Sequence, residues 1–191
     1  MNANCNTKNY YSINSEDYIE KTLLIDMNEH YNHFLKHLKK GSFILDVGFG
    51  SGRDLEYFSN NGYNVLGIDN VEEFVEHALT KGLNVKLQDF HFLEYKDEFD
   101  GIWACASLLH SNDINLAFNN LARALKYGGC FYLSMKIGSG SAIIDGRFYQ
   151  YIDKEFLEKL CTIAGLKIID IYTTEDLLNR KNKWLNALLT K

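Results

Sequence analysis

From residue 43 onward the apolar positions alternate between two rhythms. Phe43-Ile44-Leu45-Asp46-Val47 is a short apolar run that ends in a glycine-rich turn, as a strand buried on both faces does. Arg53 to Asn60 has helical spacing, and Asn61-Gly62 closes it. Asn64-Val65-Leu66-Gly67-Ile68 predicts a second strand with Asp69 at its end, and residues 71–81 a second helix stopped by Gly82. Val85-Lys86-Leu87 reads as a third strand and residues 100–106 as a fourth. A helix over Asp113 to Leu125, which Asp113 or Asn112 can cap, precedes Gly128-Gly129 and a strand over Cys130 to Met135. Strand and helix in turn, with apolar strands and short connections, predict an α/β fold. Its sheet is parallel, with helices on both faces in three layers, a doubly wound Rossmann-like arrangement.

The two ends depart from this rhythm. Residues 1–14 read as a polar arm or lid carrying Tyr10-Tyr11. Residues 15–40 read as a helical region, with Met27, Tyr31, Phe34, Leu35 and Leu38 on one stripe and Lys39-Lys40-Gly41 as a stop. After the fifth strand, residues 137–148 read as a Gly/Ser-rich loop, and Asp153 to Ala164 as a helix closed by Gly165. Leu166 to Thr173 and Trp184 to Leu189 read as two successive strands, hence an antiparallel closing pair at the sheet edge. Residues 15–191 are expected to form one domain, as 191 residues suit.

Composition narrows the class. Hydrophobic residues make up 46% and charged residues 24%, which excludes a disordered chain. A net charge of -5 offers no broad basic footprint, so no nucleic-acid partner is expected. The polar opening carries no leader pattern, and no apolar run reaches the ~18 residues a bilayer requires. A soluble, cytoplasmic protein with no membrane partner is the expectation, a monomer or weak homodimer. Cys5, Cys105, Cys130 and Cys161 lie far apart without a paired spacing, which fits neither a disulfide framework nor a zinc site. The chain has no proline, so glycine and asparagine must mark its turns.

The chemistry concentrates in Asp46-Val47-Gly48-Phe49-Gly50-Ser51-Gly52-Arg53, between the first strand and the first crossover helix. Glycines there let a ligand approach the backbone, and the helix N-terminus offers free N–H groups. Asp69, ending the next strand, can accept both hydroxyls of a ribose. Together they predict a nucleoside-containing cofactor at the carboxyl ends of the strands. The spacing is G-x-G-x-G. Arg53 stands where a dinucleotide fingerprint has its third glycine, and no P-loop Gly-Lys-Ser/Thr follows.

The run from Ile44 to Asp54 resembles the first motif of class I S-adenosylmethionine-dependent methyltransferases. Gly67-Ile68-Asp69 resembles the second, Gln88-Asp89-Phe90 the third, and Phe99-Asp100-Gly101-Ile102-Trp103-Ala104 the fourth. The run from Leu121 to Gly129 resembles the helix and turn before the fifth strand, with Tyr127 where proline is frequent. The stretch from Ala104 to His110 and Gly146-Arg147-Phe148-Tyr149 are similar to small stand-alone bacterial enzymes grouped with tellurite-resistance methyltransferases. The resemblance implies a seven-stranded sheet with an antiparallel final strand. It also implies S-adenosylmethionine as cofactor, S-adenosylhomocysteine as product, and methyl transfer to a small-molecule acceptor by in-line displacement.

It further implies residue roles. Gly48, Gly50 and Gly52 admit the methionine part of the cofactor, and Phe49 packs beside it. Asp46 orders the loop and faces the ammonium group through water. Asp69 takes the ribose hydroxyls, with Asn70 beside the adenine. Asp89 accepts from the adenine amino group, with Phe90 nearby, and Ala104 lines the methionine side by its backbone. Arg53 is open to two readings, a partner of the cofactor carboxylate or a solvent-exposed helix arginine.

On the acceptor side, His110 follows the fourth strand and is the candidate base, the alternative being a structural loop histidine. Arg147, Tyr149 and Tyr151 sit in the loop after strand five, and Tyr10, Tyr11 and Tyr18 near the N-terminus. Each is a substrate contact or ordinary aromatic packing. His30, His33 and His37 share a helical stripe but lack a completing carboxylate or cysteine, so no metal is expected. Cys105 and Cys130 are expected to pack in strands, and Trp184 in the core. Two other functions compete with methyl transfer: a nicotinamide-dependent oxidoreductase, and a non-catalytic module that binds S-adenosylmethionine.

Overall fold

The computed structural model describes residues 3–178 and 180–191, with side chains described from Thr7 onward, so Cys5 lies outside the described side chains. Among these residues, seven strands form one sheet in the order β3-β2-β1-β4-β5-β9-β8, and β6 and β7 form a separate hairpin. The strands are β1 (Phe43–Val47), β2 (Asn64–Asp69), β3 (Val85–Leu87), β4 (Phe99–Cys105), β5 (Leu125–Lys136), β6 (Ser141–Ile144), β7 (Arg147–Gln150), β8 (Lys167–Glu175) and β9 (Lys183–Thr190). Strands β1 to β5 pair in parallel, while β9 runs antiparallel to both β5 and β8. The expected parallel sheet with an antiparallel final strand is what forms.

The helices are α1 (Ala3–Ile13), α2 (Ser15–Thr22), α3 (Asn28–Leu35), α4 (Arg53–Asn60), α5 (Glu72–Thr80), α6 (Ile114–Ala124) and α7 (Lys154–Ala164). Alternate strand residues face opposite layers, the period-two rule of a pleated strand. Leu45, Ile102, Phe131 and Leu189 join one core with Phe118 and Leu121 of α6 and Leu157 and Leu160 of α7. Ile44, Trp103, Tyr132 and Leu188 join the other with Tyr31 and Phe34 of α3 and Phe58 of α4. Trp103 and Tyr132 stack at 3.9 Å between fully buried neighbours. Asp113 and Asp153 cap α6 and α7, accepting from the Leu116 and Phe156 amides.

Two expectations are corrected. The N-terminal arm is helical over residues 3–13: Tyr11 packs on Tyr18 and Phe74, Ser12 donates to Glu73, and Thr7 accepts from the Phe148 amide. Residues 15–40 form two helices, not one continuous region. Thr22 returns its hydroxyl to the Tyr18 carbonyl as α2 ends, and Asp26 accepts from the Asn28 amide as α3 begins. The predicted stripe still packs, with Met27, Tyr31 and Phe34 buried and Leu35 and Leu38 against the same core. The stretch read as a loop over 137–148 contains most of the β6–β7 hairpin. Asp145-Gly146 turns it with positive φ at both residues (50° and 76°), the geometry of a two-residue type I′ turn.

Candidate active site

Strand order reverses at β1, which lies between β2 and β4, so a crevice opens at their carboxyl ends. The loop after β1 fills its floor. Gly48 and Gly50 have φ of 66° and 54°, in the left-handed region, and a Cβ there would meet Ser107 Cβ at 2.6 Å and Tyr18 Cε1 at 2.9 Å. Only glycine suits both the backbone and the close approach. Gly52 precedes α4, whose first turn carries Arg53 and Asp54.

Asp69 pins the loop. Its Oδ2 accepts from the Gly50 amide at 3.0 Å and its Oδ1 from the Val71 amide at 3.0 Å. Each carboxylate oxygen accepts more than one bond, so acceptor capacity remains beside the cavity that Asp69 lines. Burial pushes the Asp69 carboxyl up to about 6, against the pull of those amides. Next to it, Asn70 donates to Asp89 Oδ2 at 3.3 Å. Asp89 Oδ1 accepts from both the backbone and the ring of His91, and His91 Nε2 meets Ser111 at 2.8 Å. Burial alone raises the Asp89 carboxyl; the His91 and Asn70 bonds outweigh it and hold it below its ordinary value. His91 is a site residue that the sequence reading missed. Its signal was present, an Asx turn two residues after Asp89.

Two cavities meet here. The first, about 80 Å³, is lined by Gly48, Gly50, Asp69, Asn70, Asp89 and Phe90, among others. The second, about 530 Å³, runs from Phe49 and Arg53 to Lys136, Arg147 and Trp184. Tyr11, Tyr18, Gly48, Ala106 and His110 line both and form the partition between them. Ala106 holds a positive φ of 54°, an unfavourable conformation for a residue with a Cβ, placed where β4 gives way to the cavity wall.

Several predicted site residues stand elsewhere than expected. Asp46 lies buried away from the cavity linings, its Oδ2 without a hydrogen-bond partner. Burial, then the nearby Asp54, raises its carboxyl well above the ordinary value. Ala104 is fully buried in the core, and Cys105, Ala106 and Ser107, at and just past the end of β4, line the cavities instead. Arg53 is not solvent-exposed. It forks onto Asp54, with Nε–Oδ1 at 2.7 Å and an Nη2–Oδ2 bond at 2.9 Å, and donates to the Thr22 carbonyl. Tyr31 and Trp103 donate to the same buried carboxylate at 2.5 and 2.9 Å. Trp184 is only partly core: it packs on it, lines the larger cavity and donates to Asp176 at 3.0 Å. Cys105 lines that cavity too, whereas Cys130 is buried in β5.

His110 sits at the partition. Its Nδ1 lies 2.6 Å from the Phe148 carbonyl, which only accepts, so Nδ1 carries the proton. Nε2 then holds the lone pair, and the Tyr11 hydroxyl donates to it at 2.9 Å. Burial, with help from Arg147 and Lys136, pulls the imidazole down to about 4 against the Phe148 bond, so it is neutral at physiological pH. Tyr149 rests 5.0 Å from the ring. Tyr10 lies under the Arg147 guanidinium at 4.2 Å. Tyr151 packs on the core outside both cavities. His30 bonds Tyr172 and Tyr132 through Nδ1, and His33 stacks on Tyr172. Among the described residues no three His, Cys, Asp or Glu side chains converge on a metal position.

The glycine loop and the acid closing β2 sit at the carboxyl ends of a β3-β2-β1-β4-β5-β9-β8 sheet, and this arrangement is similar to the fold of solved S-adenosylmethionine-dependent methyltransferases. Residues 45–133 match the family model described as Methyltransferase domain. Over 116 residues the chain is 32% identical to the sterol 24-C-methyltransferase of Aspergillus fumigatus, covering 53% of this chain and 30% of that protein. It thus spans less than a third of the length of that curated relative. The 1,6-didemethyltoxoflavin-N1-methyltransferase of Burkholderia thailandensis, solved with S-adenosylhomocysteine, superposes with a TM-score of 0.81 at 20% identity over 96% of this chain and 86% of that one. A TehB-like methyltransferase of Corynebacterium glutamicum superposes with a TM-score of 0.74 at 22% identity, over 94% and 98% of the two chains. At such identities these structures establish the fold.

Proposed function

We propose that the chain transfers the methyl group of S-adenosylmethionine to a small-molecule acceptor seated in the 530 Å³ cavity. The observation that carries this reading is the shared wall: the nucleoside-side cavity and the larger one meet at Gly48, Ala106 and His110. The residues fit the cofactor on two grounds: the loop approaches too closely for a Cβ, and Ser107 Oγ, on the lining of the smaller cavity, is buried without a partner. Asp69 would hold the ribose hydroxyls, Asp89 and Asn70 the adenine edge, and Gly48 and Gly50 the methionine end. When bound, the cofactor supplies a sulfonium methyl with a neutral leaving group.

Positioning then accounts for much of the rate, since effective molarities of about 10⁵ M or more follow from alignment alone. His110 presents an unprotonated Nε2, oriented by its Nδ1–H bond to Phe148. An acceptor that displaces the Tyr11 hydroxyl from Nε2 would find an acceptor for its own proton there. The N-terminal helix acts as a lid. A cavity of about 80 Å³ is smaller than the ~300 Å³ or more of typical ligand pockets, so Tyr11 and Tyr18 must move outward to admit a nucleoside.

The test is turnover, read as S-adenosylhomocysteine formation across a panel of small thiols, amines and hydroxylated acids. At least one acceptor is expected to be methylated. Its rate at saturating cofactor is expected to show no inflection near pH 6.5, because the buried His110 is already neutral there. Cofactor binding without turnover on any acceptor would contradict the enzymatic reading and favour a binding module.

A further inference from the structure

The larger cavity carries more positive charge than its own carboxylates neutralise. Four acids line the cavity, and each is committed. Asp54 is forked by Arg53, and Asp176 takes Arg180 Nε on both oxygens at 3.0 Å along with the Trp184 indole. Glu175 pairs with Lys183, and Asp17 with Lys21. Lys136 and Arg147 remain. Among the described residues Lys136 has no ion pair; its ammonium stands 4.2 Å from the centre of the Tyr149 ring and 6.0 Å from that of Trp184. Arg147 hydrogen-bonds Tyr11, but among the described residues the one carboxylate it pairs with is Asp145, at 3.6 Å, which is 74% exposed, where an ion pair contributes little. Its Nε is buried without a hydrogen-bond partner. Arg147 also lies 5.4 Å from the Tyr149 ring centre, so two cations stand close to one ring, which lies 5.0 Å from His110.

Cation–π contacts hold such side chains in place but leave their charge uncompensated. Two like charges converging in a half-buried wall, on a chain whose net charge is -5, are costly unless an anion joins them. We propose that the methyl acceptor carries an oxyanion, a carboxylate or a phosphate, which Lys136 and Arg147 bind beside Tyr149. This rests on the methyl-transfer reading and adds the chemical class of its acceptor. The anion would anchor beside Tyr149, whose ring centre lies 5.0 Å from that of His110, so the rest of the molecule would lie against His110. A neutral, nearly all-apolar acceptor such as a sterol would cover both cations without replacing their water.

Calorimetry on the full chain saturated with S-adenosylhomocysteine tests this, with benzoate, phenyl phosphate and neutral benzamide as probes. At least one anion is expected to bind about tenfold or more tighter than benzamide, the worth of one charge-assisted hydrogen bond. The tighter of the two identifies the oxyanion. That preference is expected to vanish in Lys136→Met and to shrink in Arg147→Lys, which keeps the charge but loses the fork. Benzamide binding as tightly as both anions, no probe binding at all, or a preference that survives Lys136→Met would overturn the proposal. S-Adenosylhomocysteine binding in each variant checks the fold. Failure of the unmodified chain to bind it would instead strike at the methyl-transfer reading.

Discussion

Asp69 closes β2, clamps the Gly50 amide and lines the smaller cavity, so in the proposed reading one carboxylate joins fold to ligand. Its raised pKa fixes the signs of two pH effects. Burial disfavours the ionised form, so this group's contribution to stability is fully present below its ordinary value and is lost as pH rises through about 6. Ligand binding runs the other way, because ribose hydroxyls donate to the ionised carboxylate. Affinity for S-adenosylhomocysteine is therefore expected to fall about tenfold between pH 7.5 and pH 5, as the ionised fraction falls. Asp69→Asn should bind weakly at both pH values and flatten that dependence. A wild-type affinity that does not change over this range would contradict the ribose assignment. His110 illustrates the opposite displacement, a base held neutral by burial. A sequence can nominate such a histidine, but its tautomer comes from the Phe148 carbonyl, brought in from a distant hairpin.

At the scale of elements, what the sequence makes legible is whatever is written locally. Phe43–Val47, Arg53–Asn60 and Asn64–Asp69 each carry their own period and their own stop, and they form where the pattern places them. Helix α1 does not. Its segment is polar, and its order comes from contacts with α2, α5 and β7 rather than from an apolar stripe of its own. The β6–β7 hairpin had a local signal, Asp145-Gly146 between Ile143-Ile144 and Phe148-Tyr149, obscured by the glycines and serines before it. Arg53 shows the same division. Its position at the helix start is readable, whereas its fork onto Asp54 depends on Tyr31 and Trp103 arriving from other elements. Lys136 gave no sign in the sequence, because an unpaired lysine is visible only once its neighbours are placed. Since α1 covers both cavities, removing residues 1–13 is expected to speed S-adenosylhomocysteine dissociation about tenfold in stopped-flow measurements, as lid loss does when opening limits release. Dissociation at the full-length rate would show that α1 is packing alone.

On the scale of the whole molecule, the topology places the carboxyl ends of β1, β2 and β4 side by side, and everything proposed for the chain depends on that crevice. The fold alone does not choose the chemistry, since the same switch point holds dinucleotides in other proteins. What distinguishes this chain is a loop with Arg53 in place of a third glycine, and a larger cavity that shares a wall with the smaller one. Helix α1 and the β6–β7 hairpin, the parts least readable from sequence, wall that cavity with Tyr10, Tyr11, Arg147 and Tyr149. On the proposed reading, acceptor choice rests on the segments outside the alternating core. The central claim is that the crevice takes an adenosyl sulfur ligand. Separate calorimetric titrations of the full chain with S-adenosylhomocysteine and with NADH address it most directly. The account predicts saturable one-to-one binding of S-adenosylhomocysteine, weakened at least tenfold in Asp69→Ala, and no saturable heat with NADH. Tighter binding of NADH, or an unchanged affinity in Asp69→Ala, would contradict it.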